Sequence, residues 1–420
     1  MFRGTITVPG DKSITHRALL IAAMADGTSE IINPLRSLDC ESTVGCLRAL
    51  GVEIEEHEGK TVVHGVGLEG LQPPAGVLDC GNSGTTMRLL AGVLAAQPFV
   101  SVLSGDDSLS ARPMGRIVEP LRQMGALVKG RAGDQFAPLV IRGGRLQGIT
   151  YALPVASAQV KSALLLAGLA AQGEQRLQGK IGSRDHTERM LEAFGAAVEC
   201  TDEEIVLRPG NRLRPQIVEI PGDISAAAFF LAAAAAVPGA EVTVDRVGLN
   251  PTRTGFLQVL QEMGAELAVE ERGCAGGEPW GSVSVRGAQL RGVTISGEII
   301  PRLVDEIPAL AVAAALAEGD TVIRDAAELR VKETDRIQAL VEALGSVGVK
   351  IEALPDGLII TGPARWRAGT VDGRGDHRIA MALLTAAALS DEPISVLGTE
   401  CVSISFPTFM EVLHTLVQGA

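Results

Sequence analysis

Aromatic side chains are scarce in this chain. Of its 420 residues, only 3% are Phe, Trp or Tyr, and Tyr occurs once. Proteins that bind single-stranded nucleic acid stack the bases on aromatic rings, so this scarcity argues against such a partner. The formal net charge of -13 argues the same way, because nucleic-acid binders usually present a basic surface. No nucleic-acid partner is expected, although a local group of Arg and Lys could still bind a small anion.

Metal-ligand spacings and long apolar runs are also missing. The six cysteines are scattered and form no C-x-x-C pair, which argues against a zinc site and a disulfide framework. We expect them to be reduced core residues. The Ala-rich run at 226–237 is too short to cross a bilayer. The amino terminus also lacks a basic stretch followed by an apolar one. The sequence therefore predicts a cytoplasmic protein with no metal and no membrane partner.

The length and the repeats of the chain predict its domains. A chain of 420 residues is too long for one ordinary core, so two domains are expected. A helical pattern, a Gly and a strand-like run recur five times, and each Gly is predicted to end a helix with positive φ. These glycines are Gly51, Gly125, Gly195, Gly264 and Gly345.

Six Ala-rich apolar segments alternate with that pattern, beginning with ALLIAAMADGTSEII and ending with ALLTAAALSDEPISVL. Helices without a polar face are expected to be buried. The sequence thus predicts an α/β (α+β) fold of two similar domains. Each domain has three repeated β/α units with buried helices and outer sheets. The predicted boundaries are 1–12 with 223–420 for the first domain, and 13–222 for the second, with an active site in the cleft between them.

Several helix starts are preceded by polar residues, at 10–13, 81–86, 157–159 and 375–378. A helix N-terminus suits an anion, because its free N–H groups and dipole are positive. Taken singly, each segment is more typical of an ordinary N-cap. A further segment carries two cations. Lys332 and Arg336 are four residues apart, which predicts that both lie on one helix face. Two positive charges on one face lower the stability of the helix unless an anion binds between them.

The motifs together resemble a known family. PGDKSITHRALL, GNSGTTMRLL, ARPMG, VASAQVKSALL, LVDEIPALA, RVKETDRI and GDHRIAMA occur in this order between residues 9 and 381. They resemble the enolpyruvyl transferases, and specifically the shikimate-pathway branch. The resemblance implies transfer of the enolpyruvyl group of phosphoenolpyruvate to the 5-hydroxyl of shikimate 3-phosphate. Phosphate is released from a tetrahedral intermediate, without a cofactor, and the chain is expected to be a monomer.

The resemblance also implies residue roles. Asp305 resembles the base that accepts the hydroxyl proton, Glu333 resembles the acid that protonates the methylene carbon, and Lys12 is counted with them as catalytic. The implied shikimate 3-phosphate ligands are Lys12, Ser13, Arg17, Ser157, Ala158, Gln159, Ser183, Asp305 and Lys332. The implied phosphoenolpyruvate ligands are Lys12, Gly84, Arg112, Gln159, Arg336 and Arg378. Planar arginines suit phosphate and carboxylate groups.

Some positions depart from the family pattern. Ala158, His186 and Glu328 stand where a serine, a tyrosine and an asparagine are common. Ile404 replaces a common lysine, so no ligand is assigned to the carboxy-terminal segment. The adjacent Glu306 is the other candidate for the base, and the alignment with the family favours Asp305.

Three alternative functions remain. The sister transferase acting on UDP-N-acetylglucosamine is disfavoured because no cysteine lies between residues 105 and 116. A nucleic-acid end-processing protein is disfavoured by charge and composition. A non-catalytic homologue would be expected to lack Lys12, Asp305 or Glu333, and all three are present.

Overall fold

The computed structural model describes residues 2–418. The chain forms two compact units. The first unit comprises Met1–Pro9, Pro221–Gly273 and Pro279–Ala420, and the second comprises Gly10–Ile220 with Cys274–Glu278. The five-residue segment Cys274–Glu278 thus groups with the second unit, which nothing in the sequence indicates. No described helix is long and apolar enough to span a membrane.

The second unit alternates helices and strands from Lys12 onward. Its helices are α1 (Lys12–Ala23), α2 (Leu38–Ala49), α3 (Gly84–Ala95), α4 (Asp107–Ser110), α5 (Gly115–Gln123), α6 (Arg131–Asp134), α7 (Ala158–Gly168) and α8 (His186–Ala193). Its strands are β2 (Asp26–Ile32), β3 (Glu53–His57), β4 (Lys60–Val66), β5 (Leu78–Asp79), β6 (Val100–Ser104), β7 (Leu127–Gly130), β8 (Phe136–Arg142), β9 (Thr150–Leu153), β10 (Gln175–Gly179), β11 (Ala197–Cys200), β12 (Glu204–Arg208) and β13 (Ile217–Glu219).

The first unit begins with β1 (Arg3–Thr7) and resumes after β13. Its helices are α9 (Ile224–Ala236), α10 (Gly255–Glu262), α11 (Ile307–Leu316), α12 (Arg336–Ser346), α13 (His377–Leu389) and α14 (Phe409–Gln418). Its other strands are β14 (Glu241–Gly248), β15 (Glu266–Ala275), β16 (Glu278–Arg286), β17 (Thr294–Ile295), β18 (Gly319–Ile323), β19 (Lys350–Leu354), β20 (Gly357–Gly362), β21 (Gly369–Asp372) and β22 (Ile394–Leu397). Turns of 3₁₀ helix cover Gly297–Arg302, Ala327–Val331 and Thr399–Ile404.

The strands described here form six sheets with a shared pairing pattern. The sheets of the second unit have the orders β13-β2-β4-β3, β5-β6-β8-β7 and β9-β10-β12-β11, and those of the first unit β1-β14-β16-β15, β17-β18-β20-β19 and β21-β22. In every sheet the first two strands are parallel. In four repeats a single Ala-rich helix connects these two strands, as α3 connects β5 with β6. Three repeats per unit, predicted from the sequence, are thereby confirmed.

Two repeats exchange their first strand. Strand β1 precedes α1 in the chain but pairs with β14, which follows α9. Conversely, β13 precedes α9 but pairs with β2, which follows α1. Both helices begin at the fourth residue of a Pro-Gly-Asp-x-Ser segment, at residues 9–13 and 221–225. The chain therefore passes from one unit to the other at equivalent points of two repeats, between Pro9 and Gly10 and between Ile220 and Pro221.

The six Ala-rich helices lie in the cores of the two units. In the second unit these are α1, α3 and α7, and in the first unit α9, α11 and α13, and all are buried along most of their length. Small residues allow close packing. A Cβ added at Gly92 of α3 would lie 2.2 Å from the carbonyl oxygen of Ala163 in α7. The predicted arrangement of buried helices is confirmed.

Four of the five predicted helix-ending glycines have positive φ. Gly51, Gly125, Gly195 and Gly264 have φ values of 87°, 107°, 91° and 104°. The prediction for Gly345 is wrong, because α12 continues through it to Ser346. Gly348 has a φ of 101° instead. Gly348 lies just before β19, so the positive φ that follows α12 falls at Gly348 and not at Gly345.

Candidate active site

Lys12 is fixed at the first residue of α1. The side chain of Asp11 caps the helix by accepting a hydrogen bond of 2.9 Å from the N–H of Ile14. The Lys12 ammonium lies 3.0 Å from Oδ2 of Asp39 in α2, and both side chains are largely buried. The helix start predicted at 10–13 is confirmed, and it presents a cation that pairs with Asp39.

Arg17 lies one turn further along α1 and is held by other elements. Its Nε donates to Thr187 Oγ1 at 2.7 Å, and its Nη2 donates to Ser162 Oγ at 2.9 Å. Nη1 donates to the main-chain oxygen of Ser13 at 2.8 Å. Burial is the main cause that lowers the pKa of Arg17 to about 10, with a smaller lowering from Arg184 that nearby carboxylates oppose. Arg17 therefore joins α1 to α7 and α8, whereas Lys12 is tied to α2.

The N-terminus of α3 lies beneath two guanidinium groups. Ser83 caps the helix, because its Oγ accepts from the N–H of Thr86 at 3.1 Å. A Cβ added at Gly84 would lie 2.9 Å from Nη1 of Arg88 and 3.5 Å from Nη1 of Arg112. Gly84 thus leaves room where the free N–H groups of a helix and two arginines meet, an arrangement suited to an anion.

Arg88 belongs to this group, although the sequence argument left it out. It is buried, and its Nη1 donates to Gln159 Oε1 at 2.5 Å while its Nη2 donates to the carbonyl oxygen of Pro113 at 3.2 Å. Gln159 in turn donates to Thr85 Oγ1 at 3.1 Å. Arg88 stands four residues after Gly84, so both lie on the same face of α3, and this spacing could have indicated Arg88 from the sequence.

Arg112 is positioned by the loop that precedes α5. Its Nη2 donates to Asn82 Oδ1 at 2.5 Å and to Ser108 Oγ at 3.2 Å. Asn82 also donates to Asp106 Oδ2 at 2.6 Å. The amide of Asn82 thus joins the α3 entry to the α4 segment and orients Arg112 toward Gly84.

Ser183 offers a buried hydroxyl to this side of the second unit. Among residues 2–418, Ser183 Oγ has no hydrogen-bond partner. The ammonium of Lys161 holds its loop, donating to the main-chain oxygens of Ser183 and Ile181 at 3.0 and 3.2 Å and pairing with Glu188 at 2.6 Å. A buried hydroxyl without a partner is costly, so a ligand group would stabilise it.

Ser157 and Ala158 mark the start of α7. The side chain of Ser157 is the N-cap, because its Oγ accepts from the N–H of Val160 at 3.5 Å. Ala158 is the first residue of the helix, followed by Gln159. The helix start predicted at 157–159 is confirmed. Ala158 can offer only its backbone N–H to a ligand.

In the first unit, three cations approach the carboxylate of Asp305. Arg336 Nη1 and Lys332 Nζ lie 3.1 and 3.4 Å from Asp305 Oδ1, and Arg378 Nε lies 4.0 Å from it. Arg378 Nη1 also donates to the main-chain oxygen of Asp305 at 3.3 Å. Four of the predicted site residues are thereby brought together.

Arg336 is buried and bound by three carboxylates. Its Nε donates to Asp376 Oδ2 at 2.7 Å, its Nη1 to Asp305, and its Nη2 to Glu333 Oε2 at 2.7 Å. Burial alone would lower the pKa of Arg336, but Asp376, Glu333 and Asp305 outweigh it and raise the pKa. The guanidinium therefore stays charged and holds both predicted catalytic carboxylates.

Asp376 is a second residue that the sequence argument missed. It is fully buried, and besides holding Arg336 it caps α13 by accepting from the N–H of Arg378 at 2.9 Å. This one carboxylate therefore holds the guanidinium of Arg336 and caps the helix that carries Arg378. Its position before His377 is typical of an N-cap, but nothing local in the sequence indicates the link to Arg336, 40 residues earlier.

The prediction that Lys332 and Arg336 lie on one helix face is wrong. Helix α12 begins at Arg336 and is capped by Asp335, while Lys332 follows the 3₁₀ turn Ala327–Val331. The side-chain oxygen of Asp335 accepts from the N–H of Gln338, and this cap sets the later start. The two cations are still brought to the same anion, Asp305.

Glu306 points to a different set of partners from Asp305. It is completely buried, it accepts a hydrogen bond from Ser225, and Arg253 lies 3.8 Å from it. Arg253 also pairs with Asp223, the N-cap of α9, at 3.1 Å. Glu306 is thus part of a buried network, which favours Asp305 as the carboxylate that faces the candidate site.

The positions that depart from the family pattern have structural roles here. Nδ1 of His186 lies 2.7 Å from Glu278 Oε1, and both side chains are buried. Glu328 lies 3.4 Å from the ammonium of Lys332. Ile404 ends the 3₁₀ turn Thr399–Ile404.

Comparison with known proteins gives a consistent result. A sequence model of the family described as EPSP synthase (3-phosphoshikimate 1-carboxyvinyltransferase) matches residues 1–413. The 3-phosphoshikimate 1-carboxyvinyltransferase of Herpetosiphon aurantiacus is 54% identical, over 97% of this chain and 96% of its own. That of Desulfitobacterium hafniense is 51% identical, over 99% and 96%.

Solved structures are similar as well. The EPSP synthase of Acinetobacter baumannii superposes with a TM-score of 0.88 at 46% identity, over 99% of this chain and 96% of its own. The enolpyruvyl transferase NikO of Streptomyces tendae has a TM-score of 0.78 at 20% identity, a likeness of fold alone.

Proposed function

Because the chain belongs to the EPSP synthase family, we propose that it transfers the enolpyruvyl group of phosphoenolpyruvate to the 5-hydroxyl of shikimate 3-phosphate. The reaction releases inorganic phosphate and is a step of the shikimate pathway to aromatic amino acids. Both substrates carry a phosphate and a carboxylate, so their binding requires several cations. The two groups of residues described above supply them.

The convergence of Lys332, Arg336 and Arg378 on Asp305 is the observation that carries this proposal. A carboxylate among three cations can accept a proton from a hydroxyl, while the same cations attract anionic substrates to it. Asp305 is accordingly the base for the 5-hydroxyl. Lys332 contacts shikimate 3-phosphate, and Arg336 and Arg378 bind phosphoenolpyruvate.

The resemblance also assigns residues of the second unit to the two substrates. Gly84, Arg112 and Gln159 bind phosphoenolpyruvate, with Arg88 as an additional ligand supported by its position over Gly84. Lys12 contacts both substrates.

The remaining residues of this unit bind shikimate 3-phosphate. They are Ser13, Arg17, Ser157, Ala158, Gln159 and Ser183. The unpartnered hydroxyl of Ser183 supports a contact with its phosphate.

The addition and elimination steps balance with two carboxylates. Glu333 takes up a proton from solvent once the bound anions cancel the charges of Lys332 and Arg336, and gives it to the methylene carbon of phosphoenolpyruvate, which becomes a methyl group. The 5-oxygen bonds to the neighbouring carbon as its proton passes to Asp305. In the elimination, the carbon–oxygen bond to phosphate breaks, the methyl group returns a proton to Glu333, and phosphate leaves with the proton from Asp305.

Arg336 couples substrate binding to these proton transfers. Its Nη atoms donate to Asp305 and Glu333, while its Nε is anchored on the buried Asp376. An incoming phosphoenolpyruvate anion replaces Asp305 and Glu333 on the guanidinium, because a bidentate anion matches its planar fork. Glu333 and Asp305 are thereby released for catalysis, whereas Asp376 keeps Arg336 in place.

Phosphate release tests the proposal directly. The purified protein is incubated with phosphoenolpyruvate alone, with shikimate 3-phosphate added, and with UDP-N-acetylglucosamine added instead. Phosphate is expected only with shikimate 3-phosphate. Release with the nucleotide sugar alone would instead identify the sister transferase, and no release with either would leave a non-catalytic homologue.

The role of Asp305 needs a variant and a matched control. We expect Asp305→Asn to lower kcat by about 100-fold or more, since general-base catalysis contributes about that much. Asp320→Asn is the control, because Asp320 is an exposed carboxylate of the same unit, on β18. Equal activities of the two variants would rule out Asp305 as the base.

A further inference from the structure

A buried row of hydroxyl groups joins three helices of the second unit. His16 Nδ1 lies 2.7 Å from Thr43 Oγ1, and Thr43 Oγ1 lies 2.7 Å from Thr86 Oγ1. Thr86 Oγ1 lies 2.8 Å from Oγ of Ser83, the N-cap of α3. All four side chains are at most 1% exposed. None of them is among the residues assigned above to substrate or to proton transfer.

The row runs between two helix starts that carry assigned residues. His16 lies in α1, which begins at Lys12, and Thr86 lies in α3, which begins at Gly84. Helix α2 stands between them and supplies Thr43. One turn earlier in α2, Asp39 binds Lys12 with its carboxylate, and its main-chain oxygen lies 3.3 Å from Thr86 Oγ1. Two successive turns of α2 thus separate Lys12 from the start of α3 by a defined distance.

The hydrogens of the row can be assigned from its partners. Burial is the main cause that lowers the pKa of His16 to about 3, so the ring is neutral at physiological pH. Nε2 of His16 has no partner within residues 2–418. A proton on Nδ1 leaves only a lone pair unmatched, which costs less than an unmatched N–H. The hydrogen bonds then run in one direction, from His16 through Thr43 and Thr86 to Ser83, an arrangement that strengthens each bond.

We propose that Thr43 and Thr86 are positioning residues for the binding of phosphoenolpyruvate. Their hydroxyl groups fix the first turn of α3, so that Gly84 stays beneath the guanidinium groups of Arg88 and Arg112. The inference rests on the function proposed above and extends it to residues that touch no substrate. A small displacement of a binding group strongly weakens the binding of a substrate in its reactive position. The first turn of α3 must therefore be fixed within a fraction of an ångström.

Two variants of Thr43 distinguish the effect of its hydroxyl group from the effect of its size. Thr43→Val keeps the shape but removes both hydrogen bonds, whereas Thr43→Ser keeps the hydroxyl and removes a methyl group. We expect Thr43→Val to raise the KM for phosphoenolpyruvate by about fivefold or more and that for shikimate 3-phosphate by less than about twofold. Thr43→Ser should stay near the wild type. A role in packing alone predicts the reverse order of the two variants.

Thr321→Val is the matched control. Thr321 is fully buried on β18 of the first unit, and its Oγ1 has no hydrogen-bond partner in the described part of the chain. The same substitution there removes no hydrogen bond, so both KM values should be unchanged. If Thr43→Val weakens the two substrates equally, or behaves like Thr321→Val, the proposal is overturned.

Hydrogen exchange provides a readout that does not depend on activity. In Thr43→Val, the amides of residues 84–87 should exchange at least about threefold faster than in the wild type, because the cap loses its support. The amides of α7 should not change. Unchanged exchange at 84–87 would refute the positioning role even if the enzyme is active. If the wild-type protein releases no phosphate, the proposed function is refuted. Hydrogen exchange at residues 84–87 would still show whether Thr43 fixes the first turn of α3.

Discussion

Arg336 is the side chain that binds both of the predicted catalytic carboxylates of the first unit. Its Nη1 donates to Asp305, its Nη2 to Glu333 and Asp376, and its Nε to Asp376 as well. Arg336→Lys keeps the charge, but one ammonium cannot form the planar fork. We expect kcat/KM for phosphoenolpyruvate to fall by about 100-fold or more, while the Kd for shikimate 3-phosphate changes by less than about fivefold. Steady-state kinetics and calorimetric titration measure the two effects.

The control for Arg336 is Arg324→Lys. Arg324 is an exposed arginine of the same unit, at the end of β18. Its replacement should leave both quantities unchanged. Equal weakening of the two substrates by Arg336→Lys would mean that Arg336 serves the structure of the unit and not the binding of phosphoenolpyruvate.

Gly84 supports a second prediction at the scale of one residue. An added methyl group would lie 2.9 Å from Nη1 of Arg88, which is held by Gln159 and Pro113, so the guanidinium would have to move. Gly84→Ala should raise the KM for phosphoenolpyruvate by about tenfold. It should also weaken inhibition by glyphosate, which we expect to compete with phosphoenolpyruvate.

The matched control is Gly45→Ala. Gly45 lies in α2, and an added methyl group there meets nothing within 4 Å. Both the KM and the glyphosate inhibition should stay at wild-type values in that variant. If Gly84→Ala also leaves them unchanged, Gly84 does not line the site.

Packing between helices can be tested at Gly92. This residue of α3 faces α7, where an added methyl group would lie 2.2 Å from the carbonyl oxygen of Ala163. The neighbouring atom is backbone and cannot move aside cheaply. Gly92→Ala should therefore lower the free energy of unfolding by about 1–3 kcal/mol, as overpacked cores do. Gly45→Ala should raise it by up to about 1 kcal/mol, because Ala favours a helix more than Gly does. Denaturant unfolding measures both, and a stable Gly92→Ala variant would show that the two helices can separate.

The helix starts were predictable because their signals are local. Asp11, Ser83, Ser157 and Asp376 each lie directly before their helix, and each side chain accepts a hydrogen bond from one of its first N–H groups. Such an N-cap needs only residues two or three positions away. The start of α12 was missed because the acidic and basic residues before it allow several helix registers.

Contacts between distant segments were not predictable in the same way. Arg336 meets Asp376 across 40 residues, and Arg88 meets Gln159 across 71 residues. A buried arginine needs an anionic or polar partner, but the sequence alone does not say which one. The family resemblance supplied the proposed substrate ligands, whereas the link from Asp376 to Arg336 and the network of Arg253 with Asp223 and Glu306 had to be found in the structure.

The charge of the whole molecule contrasts with that of its candidate site. The chain carries a net charge of -13, yet Arg88 and Arg112 meet over Gly84 in the second unit, and Lys332, Arg336 and Arg378 meet at Asp305 in the first. In the proposed function, these five cations and Lys12 neutralise the phosphates and carboxylates of the substrates without help from an ion. We therefore predict that phosphate release requires both substrates and no divalent metal.

The prediction is tested with metal-depleted protein in the presence of excess chelator. We expect kcat and both KM values to stay within about twofold of those measured with magnesium, since Arg and Lys carry out the charge neutralisation that metal ions supply in phosphoryl-transfer enzymes. Within residues 2–418, one group of three potential metal ligands occurs, formed by Glu53, Glu55 and His64 on β3 and β4. It contains none of the assigned residues, so His64→Ala should leave phosphate release unchanged. Activity that is abolished by the chelator and restored by a particular metal would contradict the prediction. Because the six cations would then be insufficient, the substrates would have to bring a metal ion into the site with their phosphates.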